Sequence, residues 1–224
     1  MGFDVNMFSS PLFENRNEAG KKLALKLEKF KNKQIIVLGI PRGGVVIGYE
    51  IAKSLHAALD IVVPRKLRAP SRPELAIGAI TEDGTVILNQ QLVNSLKVSN
   101  AYIEKESDQQ KLEIERRLQA YKGKQEIVDL TGLTVIVVDD GIATGSTMKA
   151  ALVSVRKRGA EYVVLAVPVA SLSSIKMLEN DADEIFYLDA PQIFYAIGQF
   201  YRNFEQVNDH EVKRLLEKNK MELS

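Results

Sequence analysis

Segment 135–147, which reads VIVVDDGIATGST, places two acidic residues and a run of small residues directly after an apolar stretch. The four β-branched residues 135–138 are typical of a buried parallel strand. Asp139 and Asp140 would then lie at the carboxyl end of this strand, where open α/β sheets bind ligands. Two adjacent carboxylates suit the vicinal hydroxyls of a ribose. The small residues that follow predict a loop and a helix N-terminus, whose N–H groups bind anions such as a 5′-phosphate.

The same segment resembles the phosphoribosyl pyrophosphate (PRPP) signature of the type I phosphoribosyltransferases, an apolar strand followed by two acidic residues and a Thr-Gly loop. The resemblance implies that the two carboxylates bind the ribose of PRPP. It also implies a phosphate loop made of Gly141, Ala143, Thr144, Gly145, Ser146 and Thr147. An ordinary βα turn with an acidic strand end is the alternative. A nucleotide triphosphatase P-loop is excluded because no lysine follows Gly145, and no dinucleotide fingerprint is present.

A second glycine-rich turn, Gly39–Gly44, follows the apolar run 34–40 and precedes a predicted helix. Glycines let the backbone approach a ligand closely, and Arg42 supplies a planar, permanent cation for phosphate oxygens. The helix N-terminus adds a partial positive charge, so a pyrophosphate could bind here. A plain βα turn is the alternative. By resemblance, Arg42, Gly43 and Gly44 match the pyrophosphate loop of the family, which often contains a non-proline cis peptide bond.

A basic, proline-rich stretch follows the second apolar run and contains Arg65, Lys66, Arg68 and Arg72. Prolines at 64, 70 and 73 predict an exposed loop that is neither a helix nor a central strand. A cationic loop that closes over a pyrophosphate would stabilise its charge and exclude water. The resemblance implies a catalytic loop here, with Lys66 as the first candidate for a pyrophosphate contact and Arg65 and Arg68 next. The alternatives are a solvated surface loop and an RNA-binding patch, although the loop lacks aromatic residues for base stacking.

The resemblance also implies a reaction, in which the phosphoribosyl group of PRPP passes to a nitrogenous base and pyrophosphate leaves. Mg²⁺ would bind mainly through PRPP oxygens and water, with Asp139 or Asp140 nearby, and Asp140 joins the three cations as a catalytic candidate. The 6-oxopurine enzymes of the family carry an aspartate where this chain has Ala143. Alanine disfavours hypoxanthine and guanine, and is more like the adenine, orotate and uracil branches. Glu74 is a candidate replacement carboxylate, with a solvated loop glutamate as the alternative.

Nearly the whole chain resembles a less defined branch of this family. That branch has Arg-Gly-Gly in its first loop, Arg-Lys-Leu in its second, and the stretch PELAIGAI, here residues 73–80. The rival function is a regulatory protein that binds PRPP without catalysis. An enzyme that acts on phosphates without a base is a third alternative. The presence of both anion loops and the cationic loop favours the phosphoribosyltransferase.

A cluster of aromatic residues lies near the C-terminus of the sequence. Its members are Phe194, Tyr195, Phe200, Tyr201 and Phe204. One of them could stack on a base, but core packing is the commoner role of such side chains.

The composition is that of an ordinary globular protein, with 46% hydrophobic and 26% charged residues and a net charge of +1. Such a small charge provides no global attraction to nucleic acid or to an anionic membrane, so we expect neither as a partner. The chain has no cysteine, and its two histidines, His56 and His210, have no ligand spacing, which argues against a zinc site. A signal-peptide pattern is missing and the apolar run 162–170 is too short to cross a membrane, so we expect a cytoplasmic protein. A homodimer is expected from the resemblance alone.

The order of apolar and amphipathic segments predicts an α/β fold with a mainly parallel central sheet and helices on both faces. Strand patterns occupy 34–40, 59–63, 75–80, 85–88, 135–138, 162–167 and 184–188, and helix patterns occupy 15–31, 45–56, 146–158, 172–179 and 209–219. We expect a single domain, 1–224, with its core at 33–189. By resemblance, 1–32 and 190–224 would form a small hood over the site. The polar stretch 90–122 predicts a solvated helix or helix pair, with an oligomer contact as the alternative.

Overall fold

The strands and helices follow the predicted order along the chain, except that Arg65–Ala69 is a strand where a loop was predicted. The structure, a computed structural model, describes residues 11–123 and 127–223. The strands are β1 (Ile35–Gly39), β2 (Ala58–Ile61), β3 (Arg65–Ala69), β4 (Arg72–Ile80), β5 (Val86–Leu88), β6 (Thr134–Val138), β7 (Tyr162–Val169) and β8 (Glu184–Asp189). The helices are α1 (Arg16–Lys26), α2 (Gly43–Leu55), α3 (Gln90–Ser95), α4 (Asn100–Lys122), α5 (Ser146–Lys157), α6 (Leu172–Leu178) and α7 (Asp209–Leu223). No helix among these described residues is long and apolar enough to cross a membrane.

The central sheet has five parallel strands in the order β2-β1-β6-β7-β8. Its strands are apolar on both faces, because successive side chains of a strand point to opposite sides. In β6, Val135 and Val137 belong to the cluster that includes α5 and α6, whereas Ile136 and Val138 belong to the cluster that includes α1, α2 and α7. Helices therefore cover both faces of a parallel sheet, which confirms the predicted fold class.

The ends of β1 and β6 form the point at which the strand order reverses. The chain leaves β1 for β2 on one side and later returns to β6 on the other side, and Gly39 is paired with Val138. Loops that follow adjacent strands at such a point diverge and leave a crevice, where α/β proteins bind ligands. The glycine-rich turn after β1 and the acidic pair after β6 therefore lie next to each other.

Residues 65–73 form part of an antiparallel sheet with the order β3-β4-β5, so the prediction of an irregular loop was wrong. The side chains of β3 alternate, with Leu67 and Ala69 buried and Lys66 and Arg68 exposed. This alternation is the normal pattern of a strand with one buried face. The predicted pairing of 75–80 with 85–88 is confirmed by the contacts of β4 with β5.

The three prolines of this stretch are compatible with a hairpin because none of them interrupts a central strand. Pro64 precedes β3, Pro70 lies in the turn, and Pro73 is the second residue of β4. Proline is tolerated at strand starts and in turns, where its missing N–H is not needed for pairing. The adjacent Ser71 has a positive φ of 59°, which closes the turn.

The stretch 90–122 is helical as predicted, but α4 is not merely a solvated helix. It packs against β3, β4 and α7. The buried residues of α4 are Glu106, Ser107, Gln110, Ile114 and Tyr121. Gln110 donates to Glu106 at 3.0 Å and accepts from Arg65 Nε at 3.0 Å, while the Arg68 backbone N–H donates to Glu106 at 3.2 Å. Helix α4 therefore supports the cationic hairpin through polar contacts.

The two terminal segments contact each other beside the sheet. Phe13 forms a parallel bridge with Tyr201, its N–H donating to Phe200 O at 3.0 Å. Helix α7 packs against α2 and β2, and the buried Asn219 side chain accepts the Leu59 N–H at 2.8 Å. This adjacency is what a hood requires, but the role of a hood over the site stays a prediction.

A buried glutamate joins three parts of the fold. Glu82, in the β4–β5 turn, accepts the Val63 N–H at 2.8 Å and forms an ion pair with Arg158 at 3.0 Å. Arg158 also donates to Val128 O at 2.8 Å. The Glu82 side chain is only 1% exposed, and burial raises its pKa while the Val63 N–H and Arg158 lower it. This contact anchors the segment just before the cationic hairpin.

We expect Glu82→Gln to lower the free energy of unfolding by about 3–5 kcal/mol, because it leaves the Arg158 charge buried without its partner. Urea unfolding followed by circular dichroism measures this difference. The matched control is Glu104→Gln, at an exposed position of α4. Equal unfolding midpoints for the two variants would show that the buried pair does not stabilise the fold.

Candidate functional site

The acidic pair after β6 has two different environments. Asp139 is partly exposed and lines a cavity, whereas Asp140 is buried. The Asp140 N–H donates to Asp139 Oδ1 at 2.8 Å, and Asp140 Oδ2 accepts from Arg16 Nε at 2.7 Å. Burial and the neighbouring Asp140 charge raise the pKa of Asp139. Burial also raises the pKa of Asp140, but the Arg16 charge opposes this effect. One carboxylate is therefore open to a ligand, while the other is bound within the protein.

Arg16, at the start of α1, is the residue that binds Asp140. Its guanidinium also donates to Glu205 O at 2.8 Å and lies over the Phe204 ring, 3.8 Å from the centroid. Tyr201 Oη donates to the Asp140 carbonyl at 2.6 Å, so both terminal segments position this aspartate. Sequence reasoning missed Arg16, because nothing in its neighbourhood relates it to a residue 124 positions away.

The aromatic cluster near the C-terminus is mainly a packing feature. Phe200 and Tyr201 are buried, and Tyr201 has ring contacts with Phe13 and Phe204 at 5.2 and 5.0 Å between centroids. Tyr195 is different, since its side chain is 81% exposed. The aromatic residues near Asp140 therefore pack against one another in this structure. The stacking of a base on any residue of the cluster stays a prediction.

The glycine-rich turn after β1 packs directly against the acidic pair. The Pro41–Arg42 peptide bond is cis. A Cβ at Gly43 would overlap Asp140 Oδ2, and one at Gly44 would lie 2.6 Å from the Val138 carbonyl oxygen. Glycine is therefore required at both positions, because the turn after β1 and the loop after β6 approach each other too closely for a side chain. Arg42 points to a different groove, which it lines with Arg16, Gly43 and Phe204, and lies 3.7 Å from Asp209.

The loop 141–145 leads into α5, and its Ile142 N–H is bonded to the Val169 carbonyl at 2.9 Å. Gly145 has a positive φ of 77° and precedes the helix without a side-chain cap. The Ala143 carbonyl accepts hydrogen bonds from Ser171 and Ser174, at 2.9 and 2.8 Å, which hold the loop in place. Within the described residues, the N–H groups of 144–147 have no hydrogen-bond partner. Unpaired donors at a helix N-terminus are groups that can bind an anion.

A cavity of about 400 Å³ brings five of the predicted site residues together. Arg65, Lys66 and Arg68 of the hairpin line it, along with Asp139 and Thr147. Glu74 and Arg117 also line it, and Arg117 was not among the predicted site residues. The other predicted site residues are not among its lining residues, namely Arg42, Gly43, Gly44, Asp140, Gly141, Ala143, Thr144, Gly145 and Ser146. The hairpin cations and Thr147 of the phosphate loop therefore line one space, whereas the glycine-rich turn borders it through Pro41.

We expect Gly43→Ala to disrupt the site, because the new methyl group would displace the Asp140 side chain and lie 2.8 Å from Arg16 Nε. Overpacking of this kind lowers the free energy of unfolding by about 1–3 kcal/mol. Thermal unfolding of this variant in the wild-type and Arg16→Gln backgrounds separates the effects. An identical cost in both backgrounds would mean that the Arg16–Asp140 pair is not what the methyl group disturbs.

The chain is similar in sequence and in fold to several known proteins. The family model for the phosphoribosyl transferase domain matches residues 81–205, more than half of the chain. Two curated relatives from Mycobacterium tuberculosis, strains CDC 1551 and H37Rv, are named “Putative phosphoribosyl transferase” and are 44% identical over 207 residues. The match covers 92% of this chain and 47% of each relative, so the chain spans about half their length. The crystal structure of TT1426 from Thermus thermophilus has a TM-score of 0.79 and 38% identity, with 92% of this chain and 98% of that chain covered. The chain therefore belongs to the phosphoribosyl transferase domain family, as the resemblance of residues 135–147 predicted.

Proposed function

We propose that the protein transfers the 5-phosphoribosyl group of PRPP to a nitrogenous base and releases pyrophosphate. The single observation that carries this proposal is the cavity that Asp139 and Thr147 share with the cations of β3. PRPP presents a sugar diol, a 5′-phosphate and a pyrophosphate. The site offers a carboxylate, a helix N-terminus and a group of cations, which are the matching partners for these three parts.

In the proposed complex, the N–H groups of 144–147 donate to the 5′-phosphate oxygens. Asp139 accepts a hydrogen bond from a ribose hydroxyl, and the adjacent Asp140 is held by its ion pair with Arg16 at 2.7 Å. The sugar is then held at two points, its 5′-phosphate and its hydroxyl. The anomeric carbon is then oriented without any contact to the reacting bond itself.

The bond that breaks joins the anomeric carbon to the pyrophosphate oxygen, and its electron pair leaves with the pyrophosphate. Positive charge grows on the ribose ring while negative charge grows on the leaving group. Lys66 and Arg68 project from the exposed face of β3, where they would stabilise that negative charge. The hairpin would also exclude water, which otherwise competes with the base for the ribosyl cation.

The carboxylates near the cavity suit an Mg²⁺ ion held mainly by its substrate. Among the described residues, no group of three or more His, Asp or Glu side chains could bind a metal by itself. Mg²⁺ commonly keeps several waters and binds through one or two carboxylates plus substrate phosphates, which fits Asp139 with Asp140 beside it. When bound, the ion would supply positive charge to the pyrophosphate oxygens.

The proton of the incoming base needs an acceptor, and Glu74 is the candidate that we propose. Glu74 is exposed and lines the cavity together with Lys66. Ala143, at the position where 6-oxopurine enzymes have an aspartate, is exposed and carries no titratable group. A carboxylate elsewhere in the cavity could accept the proton within hydrogen-bond reach of the base.

The test is an assay with PRPP, Mg²⁺ and each of adenine, guanine, hypoxanthine, uracil and orotate in turn. Pyrophosphate release together with a new nucleotide for at least one base is the expected result. Tight PRPP binding without turnover on any base would contradict the enzyme and favour the regulatory alternative. Failure to bind PRPP would overturn the assignment of the site.

A further inference from the structure

Helix α4 contributes a cation to the cavity from outside all three predicted loops. Arg117 lines the cavity with Arg65, Lys66 and Arg68, and its side chain is 20% exposed. The packing of α4 against β3 places it there. In the sequence, Arg117 follows Glu113 by four positions, which is the ordinary pattern of a surface ion pair on a helix.

Glu113 orients the Arg117 side chain without using its terminal nitrogens. Arg117 Nε donates to Glu113 at 2.9 Å, and within the described residues its two terminal amino groups have no hydrogen-bond partner. Hydrogen bonds from Arg116 and Arg117 lower the pKa of Glu113 to about 2, so this carboxylate stays ionised. The remaining donors of Arg117 form a fork that matches the oxygens of a phosphate.

The positive charge in this cavity exceeds the negative charge. Its lining includes four cationic side chains but only two carboxylates, Asp139 and Glu74. Burial lowers the pKa of Arg65, and the charges of Arg117 and Arg68 lower it further, while Glu113 opposes them. An anion that contacts several of these cationic side chains at once would offset the repulsion between them.

We propose that Arg117 is a pyrophosphate-binding residue that α4 supplies to the hairpin cations. This inference rests on the proposed function, because it deepens the pyrophosphate end of the same site. Arg117 contacts the leaving group beside Lys66 and Arg68. Residues 90–122 thus contribute directly to the site as well as supporting the hairpin.

The experiment is isothermal titration of the full chain with inorganic pyrophosphate, in the presence of Mg²⁺. The variants are Arg117→Gln and Arg117→Lys, with Arg116→Gln as the matched control. Arg116 is the preceding residue on the same helix, is 56% exposed, also bonds Glu113, and is not among the residues that line the cavity. Circular dichroism melting confirms that each variant is folded.

We expect Arg117→Gln to raise the Kd for pyrophosphate by about 10- to 100-fold, the loss of a charge-assisted bidentate contact. Arg117→Lys should give an intermediate Kd, because lysine keeps the charge but not the fork. Arg116→Gln should leave the Kd within about 2-fold of wild type, since an exposed charge is largely screened. Binding by Arg117→Gln at the wild-type Kd, or an equal loss in both glutamine variants, would overturn the inference alone. If the wild-type protein binds neither pyrophosphate nor PRPP, the proposed function fails as well.

Discussion

Lys66→Ala is expected to lower kcat by about 10²- to 10³-fold, with a much smaller change in KM for PRPP. The reason is that the pyrophosphate carries more negative charge while its bond to the ribose is breaking than it does in bound PRPP, so Lys66 binds the transition state more strongly than the substrate. Its place on the exposed face of β3, within the cavity, supports this role. Steady-state kinetics with the base identified in the panel assay measures both constants.

The matched control for this prediction is Arg72→Ala. Arg72 is an exposed cation of the same hairpin but is not among the residues that line the cavity, so its loss changes the net charge equally. We expect its kcat to stay within a few-fold of wild type. A rise in KM at constant kcat for Lys66→Ala would instead indicate that Lys66 binds the substrate and the transition state equally strongly. That result would contradict a role in the transition state.

The double variant Asp139→Asn, Asp140→Asn is expected to raise the Kd for PRPP by about 10²- to 10⁴-fold. Each hydrogen bond to a charged group contributes about 1.5–3 kcal/mol, and the two oxygens of the Asp139 carboxylate could accept two such bonds from the ribose diol, which gives roughly this range. Asparagine has the shape of aspartate, so the site keeps its volume. Titration calorimetry with PRPP and Mg²⁺ gives the Kd, and thermal unfolding gives the stability.

The two single variants distinguish the roles of the neighbouring carboxylates. Asp139→Asn should weaken PRPP binding directly, because Asp139 lines the cavity. Asp140→Asn should in addition lower the melting temperature, because Arg16 loses its buried partner. Asp108→Asn, whose side chain is 73% exposed, serves as the control for each. Normal PRPP affinity in the double variant would refute the assignment of the ribose to this pair.

The positions of two of the three predicted loops could be read from the sequence, because they depend on local pattern and on one topological rule. The apolar runs at 34–40 and 135–138 are strands that end within one residue of the predicted ends, next to the glycine-rich turn and the acidic pair. Parallel strands bring their carboxyl ends to the same edge of the sheet. The proline-rich stretch was predicted wrongly, because prolines at strand starts and in turns resemble those of an irregular loop.

The sequence by itself determined the class of fold, the edge of the sheet that carries the candidate site, and the chemical types of the groups found there. Only the tertiary structure decided which of these groups share a space. It bound Asp140 to Arg16, left Asp139 facing the cavity, and brought Arg117 beside the hairpin. The physical reason is that strand and helix patterns arise from neighbouring residues, whereas a contact across 124 positions depends on how whole elements pack.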